Sequence, residues 1–250
     1  GMRAWRRMGF SFDEQLTLTS VKAHPKSLYG TEASPACLQT LGRYRSLTAR
    51  SLLPSSKRTN ASMTFTLLSH HGKDLDPVVH ILQRRVALVR RAVVKFPSAL
   101  GKIQQIIGYY IQRGHPGTDT SPEALAQANP APPPGSASFK PWRLQPAFGP
   151  VGLLIQQLHE SAAAMQQDLV IHQSHEVPVP ILDTPYPQLK ECAGLCAARA
   201  RDRFAATTRT LFKQLEEPDV VAIDAALKDK DLDQKRWLRY HMTLSTWTDD

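Results

Sequence analysis

The chain has 250 residues, 42% hydrophobic and 21% charged, a size and balance that can bury one or two modest cores and that exclude disorder throughout. The formal net charge of +9 suits nucleic acid, an anionic membrane face or acidic protein partners, and does not choose among them. Three cysteines, Cys37, Cys192 and Cys196, make no framework for a secreted disulfide fold, and the apolar runs are too short and too often broken by Arg or Gln for a membrane span.

Residues 1–60 hold ten bases (Arg3, Arg6, Arg7, Lys22, Lys26, Arg43, Arg45, Arg50, Lys57, Arg58) against three acids (Asp13, Glu14, Glu32). With their Ser, Thr and Leu content they read as a mitochondrial targeting leader, or as a basic arm that wraps a neighbour. In either reading they are expected to lie outside the core.

Asp76-Pro77 opens a stripe of Val78, Leu82, Val86, Val89 and Val93 at helical spacing. Phe96-Pro97 interrupts it, and Leu100, Ile103, Ile107 and Tyr110 resume it before Gly114 and Pro116. Residues 61–113 are therefore expected to form a helical hairpin or one kinked helix. Residues 114–141, ending in Pro130-Ala131-Pro132-Pro133-Pro134-Gly135 and Lys140-Pro141, read as an exposed proline-rich linker that builds no core.

Residues 142–250 read as a helical, stalk-like region. Val151, Leu154, Leu158, Ala162, Met165 and Leu169 make a heptad-like stripe that calls for a partner helix. Val177-Pro178-Val179-Pro180 and Tyr186-Pro187 force an extended connector. A long helix is expected from Gln188 to about Leu215, with Cys192, Cys196, Ala200, Phe204, Thr207, Leu211 and Leu215 on one side and Arg199, Arg201, Arg209 and Lys213 largely outward. Pro218-Asp219 starts a short helix, Val220–Lys228, and the tail with Trp237, Tyr240 and Trp247 reads as a docking strap.

No constellation for chemistry emerges, so no catalytic, cofactor-binding or metal-binding residue is assigned. Cys192 and Cys196 lie one turn apart, but nothing nearby completes a zinc set, and they read as packed thiols. His172, His175 and Glu176, like His159-Glu160, lack the spacing of a helical zinc-protease site, and His70-His71-Gly72-Lys73-Asp74 lacks a nucleophile in a recognisable setting. Neither glycine-rich phosphate-binding motif occurs in the chain. Arg84, Arg85, Arg90, Arg91 and Lys95 put positive charge along one helix flank, either as a phosphate-contact surface or as a solvated face that pairs with acidic subunits.

Three motifs carry a resemblance. Phe139-Lys140-Pro141-Trp142, Val177-Pro178-Val179-Pro180, and Pro218-Asp219-Val220-Val221-Ala222-Ile223-Asp224-Ala225-Ala226-Leu227 followed by Asp231-Leu232-Asp233-Gln234-Lys235-Arg236-Trp237 occur in an order that resembles the subunit d family of the mitochondrial F-type ATP synthase, across roughly residues 139–240. That resemblance implies a mainly α protein of elongated amphipathic helices joined by proline-rich connectors. It implies a non-catalytic subunit of the peripheral stalk, on the matrix side of the inner membrane, that holds the catalytic head still during rotation and whose partners are other stalk subunits. The rival expectations are a mitochondrial ribosomal protein that grips rRNA with its basic N-terminal half, and an accessory subunit of a respiratory complex.

Overall fold

In a computed structural model, the structure describes residues 8–52, 60–68, 75–128, 132–134, 148–174, 176–208 and 234. The expected mainly α class is what is found, with a small sheet added. The helices are α1 (Phe12–Leu18), running through a π-helical turn at Thr19–Ala23 into α2 (His24–Ser27), then α3 (Leu38–Leu52), α4 (Ala61–Leu68), α5 (Pro77–Lys95), α6 (Ala99–Gln112), α7 (Pro122–Gln127), α8 (Gly149–Glu160) and α9 (Tyr186–Thr208). A 3-10 turn spans Pro116–Thr118.

Helix α5 is the centre. It starts sharply because the Asp76 carboxylate accepts the Val78 N–H at 3.1 Å and Pro77 sits where no donor is needed. It stops where Phe96, ahead of Pro97, leaves helical geometry. Its stripe of Val79, Leu82, Val86, Val89 and Val93 is buried with Ile103, Ile107 and Tyr110 of α6, Leu154, Ile155 and Leu158 of α8, and Leu189, Ala193 and Cys196 of α9. Helices α8 and α9 pack most extensively on α5, and α8 also packs on α6. Gly152 admits the Tyr110 hydroxyl against α8, where a Cβ would collide with it, and that hydroxyl accepts the Phe148 N–H at 3.1 Å.

Four expectations are corrected. The first sixty residues do not stand outside the core: Leu28 and Leu41 are buried with Ile81 of α5, and Ala49 and Leu52 with Phe65 and Leu75. Nor is the start of the 114–141 segment free of core. Thr118 and Leu125 are buried, and Gly117 sits so close to the Ile155 carbonyl of α8 that a Cβ would not fit.

The stripe from Val151 stays helical only to Glu160. Ala162 turns into the left-handed region at φ 55, and Ala163–Met165 becomes β1. It pairs antiparallel with β2 (Val170–Gln173), Ala164 opposite His172, and β2 pairs with β3 (Val179–Pro180), Ile171 opposite Val179. Ala162, Met165 and Leu169 are buried as the stripe requires, but in a hairpin against α8 rather than on a partner-seeking helix. The Val-Pro-Val-Pro element is thus an edge strand, where Pro180 costs the sheet no central hydrogen bond. Finally, Arg201 of α9 is buried rather than outward. Residues 209–250, with Leu211, Leu215, the Val220–Lys228 helix and the aromatic tail, lie outside the described residues apart from Gln234, as do His70, His71, His175 and the Phe139–Trp142 motif.

Candidate functional site

The basic flank of α5 is the feature with the most obvious functional meaning, and its geometry is internal. Arg85 is buried; it donates to the Thr31 carbonyl at 3.2 Å, the Leu153 carbonyl at 3.1 Å and Gln157 Oε1 at 2.9 Å. Burial lowers its pKa to about 10. Arg84 pairs with Glu32 at 2.8 Å. Arg90 donates to the carbonyls of Ile181 and Thr184, and exposed Arg91 to Ala87 of its own helix. Three of the four arginines therefore tie α5 to the N-terminal segment, to α8 and to the turn before α9. They do not present a row of free guanidinium groups to a phosphate backbone.

A second polar cluster lies at the start of α5. Arg45 of α3 is 1% exposed and meets Asp76 through Nε and Nη2, with Ser62 accepting from Nη2 at 3.1 Å and the Phe65 ring 5.4 Å from the guanidinium carbon. His24 bridges Tyr44 and the Leu75 carbonyl at 2.8 and 2.9 Å. A carbonyl only accepts, so Nε2 carries the proton and Nδ1 accepts from the tyrosine. Burial, then the neighbouring His80, lowers the His24 pKa to about 3.

Next to this cluster a cavity of about 40 Å³, enough for a few water molecules, is lined by Asp76, Gln157, Glu160, Ser161 and Arg201 and roofed by Pro132–Pro134. Burial raises the Glu160 pKa against the opposing pull of Gln156 and Arg85. For Asp76 burial pushes the same way, but the Arg45 charge and hydrogen bonds outweigh it and hold the carboxyl below the usual range. Two carboxyls pushed apart can mark an acid and a base. Here Asp76 has both oxygens engaged by Arg45, one of them also accepting the Val78 N–H, which makes it an anchor of the fold.

The other titratable candidates are dispersed. Burial, then Cys192, pushes the Cys196 thiol up to about 12, the behaviour of a packed thiol. His172 lies in β2, and Glu176 pairs with Arg199 at 2.7 Å. His115 and His159 meet edge to face at 6.2 Å, both lowered by burial, with the His115 Nδ1 accepting the Gly117 N–H at 3.0 Å. Among the described residues no three His, Cys, Asp or Glu side chains are grouped to hold a metal ion.

Helix α6 exposes two apolar side chains next to each other. Within Ala99–Gln112 its one charged residue is Lys102. Ile103, Ile107 and Tyr110 face the core, Gly101, Gln105 and Gln112 lie on the opposite side, and Ile106 and Tyr109 remain 42% and 48% exposed on a flank between the two.

No protein-family model matches the chain, and no curated protein or solved structure matches it significantly. No helix of the described residues is long and apolar enough to cross a membrane.

Proposed function

We propose that this chain is a non-catalytic structural subunit of a mitochondrial assembly, with the peripheral stalk of the F-type ATP synthase as the assembly its sequence motifs resemble. The observation that carries the reading is the exposed apolar pair Ile106 and Tyr109 on one flank of α6, which a neighbouring subunit would cover. The buried Arg45–Asp76 ion pair and the buried hydrogen bonds of Arg85 support it as well, since they join α5 to the N-terminal segment and to α8. The ribosomal alternative draws on the +9 charge. The inward engagement of Arg84, Arg85 and Arg90 speaks against α5 as its rRNA-binding surface. Purification of the tagged full-length chain in mild detergent, with identification of its companions, tests the proposal. Stalk subunits on the matrix side of the inner membrane are the expected companions; ribosomal proteins or an isolated chain would overturn it.

A further inference from the structure

We propose that the outward stripe of α6 docks an amphipathic helix of a neighbouring subunit whose apolar seam is flanked by Asp and Glu. The proposal rests on the reading of the chain as a structural subunit and names the chemistry of the partner at its open face.

Lys102, Ile106, Tyr109 and Arg113 follow one another at spacings of four, three and four, so they share one side of the helix over roughly 16 Å of its axis. All four are exposed. The two apolar side chains sit in the middle and the two cations at the ends, and the Arg113 guanidinium carbon lies 4.4 Å from the centre of the Tyr109 ring, extending the platform.

The charge of the sequence around the stripe is one-sided. From Pro77 to Thr118 the sequence has no Asp or Glu, against Arg84, Arg85, Arg90, Arg91, Lys95, Lys102 and Arg113. Among the described residues the ion pairs of this stretch end with Arg84 and Glu32, and neither Lys102 nor Arg113 has an acid of its own chain as partner. An apolar centre rimmed by cations that have no acid partner among the described residues selects a partner with apolar residues at helical spacing and carboxylates beside them, as flanking charges do in coiled coils. The apolar contact holds such a pair together, and the charges set its direction and register.

The test is photo-crosslinking in intact mitochondria, with the full-length chain carrying p-benzoylphenylalanine in place of Ile106 and the adduct sequenced by mass spectrometry. The expected adduct is a segment of another subunit with apolar residues three and four apart and Asp or Glu flanking them. Lys102→Glu combined with Arg113→Glu should lower its yield about tenfold. Both side chains are exposed, so the circular dichroism of that variant should match the parent. An adduct to lipid or RNA, an adduct to a neutral or basic segment, no adduct, or a yield unmoved by charge reversal overturns the assignment. If mitochondrial subunits still accompany the purified chain in those cases, the structural-subunit reading stands and the docking assignment alone falls.

Discussion

The Arg45 guanidinium meets the Asp76 carboxylate with Nε 2.9 Å from both oxygens and Nη2 2.7 Å from Oδ2, the two side chains being 1% and 2% exposed. The pair joins the N-terminal helices to the first turn of α5, which Asp76 also caps. Removing one member leaves the other charged in the interior, a loss of about 3–5 kcal/mol. Arg45→Ala and Asp76→Asn are each expected to lower unfolding free energy by that order in urea titrations at neutral pH. Because the folded carboxyl titrates below its ordinary range, its contribution is present above that range and disappears as pH falls through it. Asp76→Asn should therefore be less acid-sensitive below about pH 4 than the parent.

His24 governs a higher window. Buried neutral with its pKa lowered to about 3, it takes up a proton on unfolding at any pH between that value and its ordinary 6.5. Stability is thus complete above pH 6.5 and declines below it, by roughly 1.4 kcal/mol per pH unit. Urea midpoints at pH 7 and pH 5 should differ for the parent and differ less for His24→Gln, which cannot charge, the remaining difference coming from His115 and His159, whose pKa values burial also lowers. A parent curve flat between those pH values would show that the ring is not held neutral in the fold.

The arginines of α5 separate by partner. Arg85→Gln leaves the Leu153 and Thr31 carbonyls without their charged donor and should cost about 2–4 kcal/mol. Arg91→Gln, on the exposed side, should stay within about 0.5 kcal/mol. Thermal melts of the two single variants check the ordering. The same ordering in an RNA-retention assay corrected for folded protein would point instead to a direct phosphate role.

The helices at 77–95 and 99–112 were legible because their apolar spacing, the Asp76-Pro77 start and the Phe96-Pro97 break are all local signals. What was missed was decided by distant residues. Arg45 reads as one more base in a basic leader until Asp76, thirty-one positions on, is placed against it. Arg201 falls on the polar side of a pattern drawn around Cys196 and Phe204, yet it is buried beside the cavity that also involves Asp76. Ser161-Ala162-Ala163-Ala164-Met165 carries strong helix formers and was read as a continuation of α8. The left-handed turns at Ala162 and Leu169, and pairing with β2, override that propensity so that every one of these residues is buried.

If this chain is a subunit as proposed, the exposed pair Ile106 and Tyr109 is where a neighbour attaches. Covering such side chains is worth about 1.5–3 kcal/mol each, and placing carboxylates there reverses the gain. Blue-native electrophoresis of mitochondria expressing either the parent or Ile106→Asp with Tyr109→Asp measures this directly. The parent is expected to migrate in a large complex and the variant as a free, folded chain. A variant that remains in the complex, or a parent that runs alone, would contradict it.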